Sequence, residues 1–266
     1  HLGFVGSDWN WHGRRWYGRL FRPLFRQASL ITATGEAMRR EMIQAGLPAE
    51  RILILPHGVD LSRFRPSLEQ EAEFDCIFVG RLVALKRVDV ILTAFAQVVA
   101  ARPGSRLCIV GDGPLRPELE ALASRLGFAG QVEFVGSVRD VECYLSRARI
   151  LLIASEREGL PFALIEGLAA GLAPIVTPVG SLGEFVSHET NGLHVPVGDA
   201  AALAGAIIRL LADEDLYRRL RQNVAALRPR LGYAAAQEVW ETWLRRVAAS
   251  DERASEPGAC LERAEQ

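Results

Sequence analysis

Along the chain, short and almost wholly apolar runs alternate with longer stretches of helical periodicity. Leu30 to Ala33 reads as a strand. Thr34 then stands ready to cap EAMRREMIQAG, and Gly46, with Pro48 beyond it, ends that helix. RILIL (51–55) predicts a second strand. The polar, proline-bearing PHGVDLSRFRPSLEQEAE (56–73) reads as a connector, and a domain boundary falls in it.

From Phe74 the alternation becomes regular. FDCIFVG (74–80) is followed by a helix over 87–101, the strand RLCIV, the turn GDGP (111–114) and a helix over 115–126. The strand QVEFVG, a short helix from Val141 to Ala148 and the strand RILLIA (149–154) come next. Gly171, the strand APIVT, the loop PVGSLGEF, the turn NGLHVP and a helix from Asp199 to Leu211 continue the pattern. Strands this apolar must be covered on both faces, which predicts a doubly wound parallel sheet of the α/β class. Two further helices finish it, the last over YAAAQEVWETWLRRVAA (233–249). The tail SDERASEPGACLERAEQ (250–266) is polar and is predicted to be disordered.

Composition changes this picture little. The 266 residues carry 31 Lys+Arg against 32 Asp+Glu, a net charge of −1, which gives no reason to expect a nucleic-acid partner. Cys76 and Cys108 fall in strand-like runs, so buried reduced thiols are expected rather than disulfides. No apolar run reaches the ~18–20 residues of a spanning helix, and a cytoplasmic location is the default expectation. The opening HLGFVGSDWN reads as the interior of a domain, so an earlier part is expected to be absent.

In doubly wound sheets ligands collect beyond the carboxyl ends of the strands, which directs attention to the loops there. EREGLPFALIEGLAAG (156–171) holds Glu158 and Glu166, eight positions apart, around an apolar helix start at Pro161. Free amides over Leu160 to Ala163, with the helix dipole behind them, make an anion site. Glu166, one turn in, needs hydrogen-bond donors, and paired ribose hydroxyls suit a carboxylate. A bland alternative is that Glu166 pairs with an arginine or caps a loop. GRLVALK (80–86) adds Gly80, Arg81 and Lys86 after a strand, a fork and a point charge suited to a diphosphate. GDGP reads as a tight turn with Asp112 bonding its own backbone, and no GxGxxG or GxxxxGK[ST] occurs. No Asp/His metal cluster is visible, so no metal and no cofactor are expected.

Taken together, PHGVD…RF, GRL…K, GDGP, FVGSV, S…EGLPFALIEGLAAGLAPIVT and VG…E…NGLHVPVGD resemble the retaining glycosyltransferases of family 4, which have the GT-B fold. The resemblance runs in order over residues 28–212. It implies two Rossmann-like domains: a remnant of the acceptor-side domain over 1–62, a linker over 63–73 and a donor-binding domain over 74–228. The helix over 229–249 would cross back to the first. It further implies that Arg81 and Lys86 hold the diphosphate of a nucleotide-sugar and that Glu166 binds its ribose. Glu158 would bind a hydroxyl of the donor sugar, with the amides near Gly159 to Phe162, the stretch holding Leu160 and Pro161, supporting the sugar and phosphate. Val138 and Arg139 would border the base, and Gly58 the hinge. Arg81, Lys86 and Glu158 are thus the implied catalytic set.

One departure stands out. Relatives often read His-Gly-Ser-Asp where this chain has Val5 in FVGSD, with Asp8 kept as a possible acceptor-side group. Either Asp8 or a group elsewhere takes the polar role, or the chain is a non-catalytic nucleotide-sugar-binding homologue or subunit. The sugar-nucleotide epimerases that share the architecture fit less well around 155–171. WHGRRWYGRLFRPLFRQ (11–27) sets Arg15, Arg19, Arg22 and Arg26 beside aromatics, which suits either an anionic membrane surface or the domain's own core. The acceptor implied is a saccharide or a lipid-linked one. Of the scattered histidines, His57 beside Gly58 is the one placed at a cleft.

Overall fold

The computed structural model of the protein describes residues 2–3, 28, 30–55, 57–66 and 72–255. Val5, Asp8, the 11–27 segment and residues 256–266 lie outside them, so the readings made on those residues do too.

The first unit is a parallel sheet in the order β1 (Leu2–Gly3), β2 (Ile31–Ala33), β3 (Ile52–Ile54). Helix α1 (Glu36–Gln44) lays Met38 and Met42 against Ile31, Ala33 and Ile52. Thr34 does not cap this helix. Gly35 occupies the cap position without a side-chain bond, and the Thr34 hydroxyl turns instead toward Met38 Sδ at 3.9 Å. The first amides donate to Glu184, from Glu36 at 2.8 Å and from Ala37 at 2.5 Å. Thr34 stands one residue too early to reach them, and a carboxylate is the stronger partner for a helix dipole.

The second unit is a six-stranded parallel sheet in which β4 (Phe74–Val79) is flanked by β5 (Leu107–Val110) and β7 (Ala148–Ile153). Outside them lie β6 (Val132–Gly136) on one side and β8 (Ala173–Val176) with β9 (Leu193–His194) on the other. Every residue of β5 and β8 is buried, as expected for strands covered on both faces. One face packs on α2 (Val88–Ala101), α3 (Arg116–Arg125) and α7 (Ala200–Ala212), with Phe95 and Phe128 at their meeting point. The opposite face packs on α5 (Phe162–Ala169) and Val224 of α8 (Glu214–Leu227). Each fully buried Phe or Leu contributes roughly 1.5–3 kcal/mol. Cys76 and Cys108 are buried free thiols, and burial pushes Cys108 up to about 12.

Two boundaries depart from the sequence reading. The helix α4 (Val141–Leu145) stops short of Ala148, because Ala148 pairs with Phe74 as the first residue of β7. The last helix, α9 (Tyr233–Ser255), runs past residue 249 into the segment read as a disordered tail. Nothing in Ser-Asp-Glu-Arg-Ala-Ser breaks a helix, and the first breakers are Pro257 and Gly258. The start of α9 is stitched to the hinge: Val59 N–H donates to Leu231 and Tyr233 N–H to Val59, at 2.9 and 3.1 Å. A Cβ on Gly58 would lie 2.9 Å from Tyr233 Cα, so only glycine permits that approach.

In chain order the large sheet runs third, second, first, fourth, fifth, sixth, and its direction of growth reverses between β4 and β7. Ligands in open α/β sheets sit at that reversal.

Candidate functional site

The loops leaving β4 and β7 meet at the reversal. Glu156 N–H donates to the Leu85 carbonyl at 3.0 Å, joining the two backbones. Lys86 closes a 3-10 turn (Ala84–Lys86), which points its ammonium at Glu158: Nζ to Oε1 is 2.5 Å. The Ser155 hydroxyl, fully buried, donates to the same oxygen at 2.7 Å. Arg87, held at φ 49°, pairs with Glu156 at 2.7 Å just outside. The two segments singled out in the sequence are therefore one structure.

Between them lies a cavity of about 380 Å³. Gly80, Arg81 and Lys86 form one wall. Glu158, Gly159, Leu160 and Pro161 form another, and Phe162 and Glu166 of α5 complete it together with His57. Helix α5 begins at Phe162, with Pro161 in extended backbone before it and no side chain on its first amides. Those amides and the positive end of the dipole point toward the cavity's cations, an arrangement that favours an anion. Arg81 is exposed and makes no ion pair among the described residues.

Glu166 is partly buried one turn inside α5. Burial, then the nearby charge of Glu142, raises its pKa above the usual carboxylate value, and Arg63 opposes them. Glu142 is itself held by Arg63, whose Nη2 lies 2.7 Å from the Glu142 Oε1, while the Glu142 Oε2 is buried without a hydrogen-bond partner among the described residues. His57 stacks on the Phe162 ring at 4.5 Å between centroids.

Not every predicted residue joins this cavity. Val138 packs against the core on the α5 face of the sheet, and Arg139 offers its carbonyl to Arg63 at 3.4 Å, so both lie on the loop after β6 and outside the cavity wall. GDGP is a buttress rather than a phosphate cradle. Asp112 accepts from the Gly113 amide at 2.7 Å, and a Cβ on Gly111 would fall 1.9 Å from the Gly80 carbonyl oxygen. Sequence reasoning did not single out Ser155, which orients Glu158; its only signal was its place in SEREGLP. Among the described residues no group of three or more His, Cys, Asp and Glu could hold a metal ion. Likewise no described helix is long and apolar enough to cross a membrane.

Comparison with known proteins gives this geometry its family. Residues 62–226 match the family described as glycosyl transferases group 1, and residues 4–63 match glycosyltransferase family 4. The chain is 32% identical over 198 residues to an exopolysaccharide phosphotransferase of Streptomyces coelicolor, covering 74% of this chain and 21% of that protein. It is 29% identical to the N-acetyl-alpha-D-glucosaminyl L-malate synthase of Bacillus anthracis, covering 77% of this chain and 56% of that one. The chain thus spans little more than half of one relative and about a fifth of the other. In three dimensions it resembles Anabaena Alr3699/HepE in complex with UDP-glucose, with a TM-score of 0.77 at 24% identity over 85% of this chain and 67% of that one. By fold and by family match, this chain belongs to the group 1 glycosyl transferases, with the GT-B architecture.

Proposed function

We propose that this chain carries the donor site of a retaining glycosyltransferase that moves a sugar from a nucleotide diphosphate sugar to a saccharide or lipid-linked acceptor. Polysaccharide or glycoconjugate biosynthesis is the setting, which the exopolysaccharide phosphotransferase among the relatives supports. The observation that carries this reading is the convergence of Arg81, Lys86, Glu158, Glu166 and the start of α5 on one cavity. Its cations and amides suit a diphosphate, and the neighbouring Anabaena structure holds UDP-glucose.

The chemistry follows from where charge develops. As the glycosidic bond to the diphosphate lengthens, the sugar takes on oxocarbenium character and negative charge gathers on the leaving group. Lys86, held by Glu158, and the α5 amides are fixed in advance where that charge grows, Arg81 adds an exposed cation beside them, and together they lower the barrier. Lys86 has three N–H donors, so it can hold Glu158 and phosphate oxygens together. Glu158, oriented by Ser155, accepts from a sugar hydroxyl, and Glu166 accepts from the ribose. No step in this scheme calls for a metal or a separate cofactor.

Calorimetry with UDP, GDP and ADP identifies the base. Release of nucleoside diphosphate from the matching sugar donor, lost in Glu158→Ala, tests the transfer, and the anomer of the product tests retention. Binding without any release would favour the alternative, a non-catalytic nucleotide-sugar-binding homologue, which Val5 in place of the relatives' histidine supports. A lipid-linked acceptor would make the basic aromatic segment 11–27 a peripheral membrane contact. Absence of flotation with anionic liposomes would remove that part.

A further inference from the structure

We infer that Arg87 is a positioning residue: its ion pair with Glu156 sets the spacing between the turn that carries Lys86 and the loop that carries Glu158. This deepens the donor-site reading above and rests on it.

The backbone of Arg87 lies at φ 49° and ψ 44°, in the left-handed region where glycine is at ease and a residue with a Cβ is strained. Such a residue persists only where its surroundings over-determine it, and these residues gather at functional sites. Here the Arg87 amide closes the Ala84–Lys86 turn by donating to the Ala84 carbonyl at 3.1 Å. Its own carbonyl accepts from the Val90 amide at 3.1 Å, which starts α2. The direction of Lys86 is therefore set by a backbone that Arg87 bends.

The Arg87 side chain carries that geometry across to the second segment. Its Nε and Nη2 donate to Asp89 at 3.1 and 3.0 Å, while Nη1 donates to Glu156 at 2.7 Å. A planar guanidinium held this way offers Glu156 one fixed arm, which a lysine cannot imitate. Glu156 stands two residues before Glu158, and its amide already donates to the Leu85 carbonyl at 3.0 Å. Arg87 and Glu156 do not line the cavity that Lys86 and Glu158 share. They border a second one of about 490 Å³, so space rather than packed side chains lies behind them, and the ion pair is what restrains the loop on that side. Charged groups of a working site must be held to within about 0.5 Å by the residues behind them. A half-exposed pair adds little to global stability, so its effect belongs to the site and not to the fold.

The test combines hydrogen exchange at the Glu156 amide with calorimetric titration by UDP, GDP and ADP. It is run on the wild type, Arg87→Gly, Glu156→Ala, the double variant and Glu156→Gln, at a temperature where thermal unfolding shows all of them folded. Glycine adopts the same φ without strain, so Arg87→Gly should unfold no earlier than the wild type. Its Glu156 amide should nevertheless exchange faster, and its nucleoside diphosphate affinity should fall about three- to fivefold, the scale of one half-exposed ion pair. Glu156→Ala should lose as much affinity, the double variant no more than either, and Glu156→Gln, which keeps an acceptor, should regain most of it. Wild-type affinity in both single variants would overturn the inference and leave the donor site standing. Losses that add in the double variant would overturn it by showing that the two residues act separately. Lower affinity with unchanged exchange would also overturn it, by making the effect one of charge rather than of placement. If the wild type bound none of the three nucleotides, the donor-site reading itself would fail and take this inference with it.

Discussion

Lys86 Nζ lies 2.5 Å from Glu158 Oε1, so a cation that follows β4 and a carboxylate that follows β7 are tied together at the reversal of strand order. The pair is little exposed, at 22% and 8% for the two side chains. Removing one partner of such a pair leaves the other buried without compensation, which costs more than the pair itself is worth. Lys86→Ala should therefore lower the unfolding temperature as well as turnover, the latter by ~10²–10³-fold if the lysine stabilises the leaving diphosphate. Lys86→Arg should restore stability further than turnover, since a fork does not replace a point charge in the same place. Kinetics and thermal unfolding on the same samples check this. A Lys86→Ala protein with unaltered turnover would move the leaving-group role elsewhere.

Glu166 makes the opposite bargain between fold and function. Burial, then the charge of Glu142, raises its pKa. For a carboxyl raised in the folded state, the associated stability is fully present below the unfolded pKa and is lost as pH rises through the folded pKa. At neutral pH its charge thus weakens the fold, and Glu166→Gln should raise the unfolding temperature there but not in acid. If Glu166 binds ribose hydroxyls as proposed, the carboxylate is the acceptor they need, and donor affinity in the wild type should fall as pH drops through the raised pKa. Glu166→Gln should bind donor weakly and show no such step. Parallel unfolding-temperature curves for the two proteins across pH would refute the burial argument.

Gly180 controls Glu158 from behind. Its φ of 56° lies in the left-handed region, and a Cβ there would sit 1.9 Å from the Glu158 carbonyl oxygen. Ser181 N–H also donates to the Gly159 carbonyl at 3.0 Å, which binds the two loops together. Gly180→Ala should cost about 1–3 kcal/mol in backbone strain. It should also push the 155–161 loop out of place, so turnover falls further than stability alone explains. Denaturant unfolding with kinetics under fully folded conditions separates the two effects.

Much of this arrangement was legible beforehand because its signals are local. Arg81, Lys86, Glu158 and Glu166 each follow an apolar run, and the doubly wound rule carries such loops to one end of the sheet. The alternation of strands and helices likewise announced the parallel sheet. What escaped was set by distant partners. Thr34 looked like a cap because it stands beside a helix, whereas the residue that binds those amides is 148 positions away from Glu36. Glu166 was open to pairing with an arginine; Arg63 does act on it, but burial and a second carboxylate, Glu142, which no local pattern relates to it, outweigh that. The helix α9 outran its predicted end because polar composition alone does not break a helix.

That distant cap yields the last prediction. Glu184 receives the amides of Glu36 and Ala37 and so fastens the helix α1 of the first unit to the short helix α6 (Leu182–Phe185) after β8. Gly35 makes the approach possible, since a Cβ there would lie 2.1 Å from Ser181 Oγ, a buried hydroxyl without a hydrogen-bond partner among the described residues. Glu184→Ala removes an N-cap, which costs about 1 kcal/mol, and should speed amide exchange at the start of α1 while leaving the sheet protected. Glu184→Gln, which keeps the acceptor but loses the charge, should fall between. Because the cations and carboxylates of the cavity all lie in the second unit, nucleoside diphosphate affinity should not change. Turnover should fall if the first unit faces the acceptor, since that unit loses its fixed seat beside the 155–161 loop. Exchange at Glu36 and Ala37 that is as slow in Glu184→Ala as in the wild type would show that α1 is capped by something else.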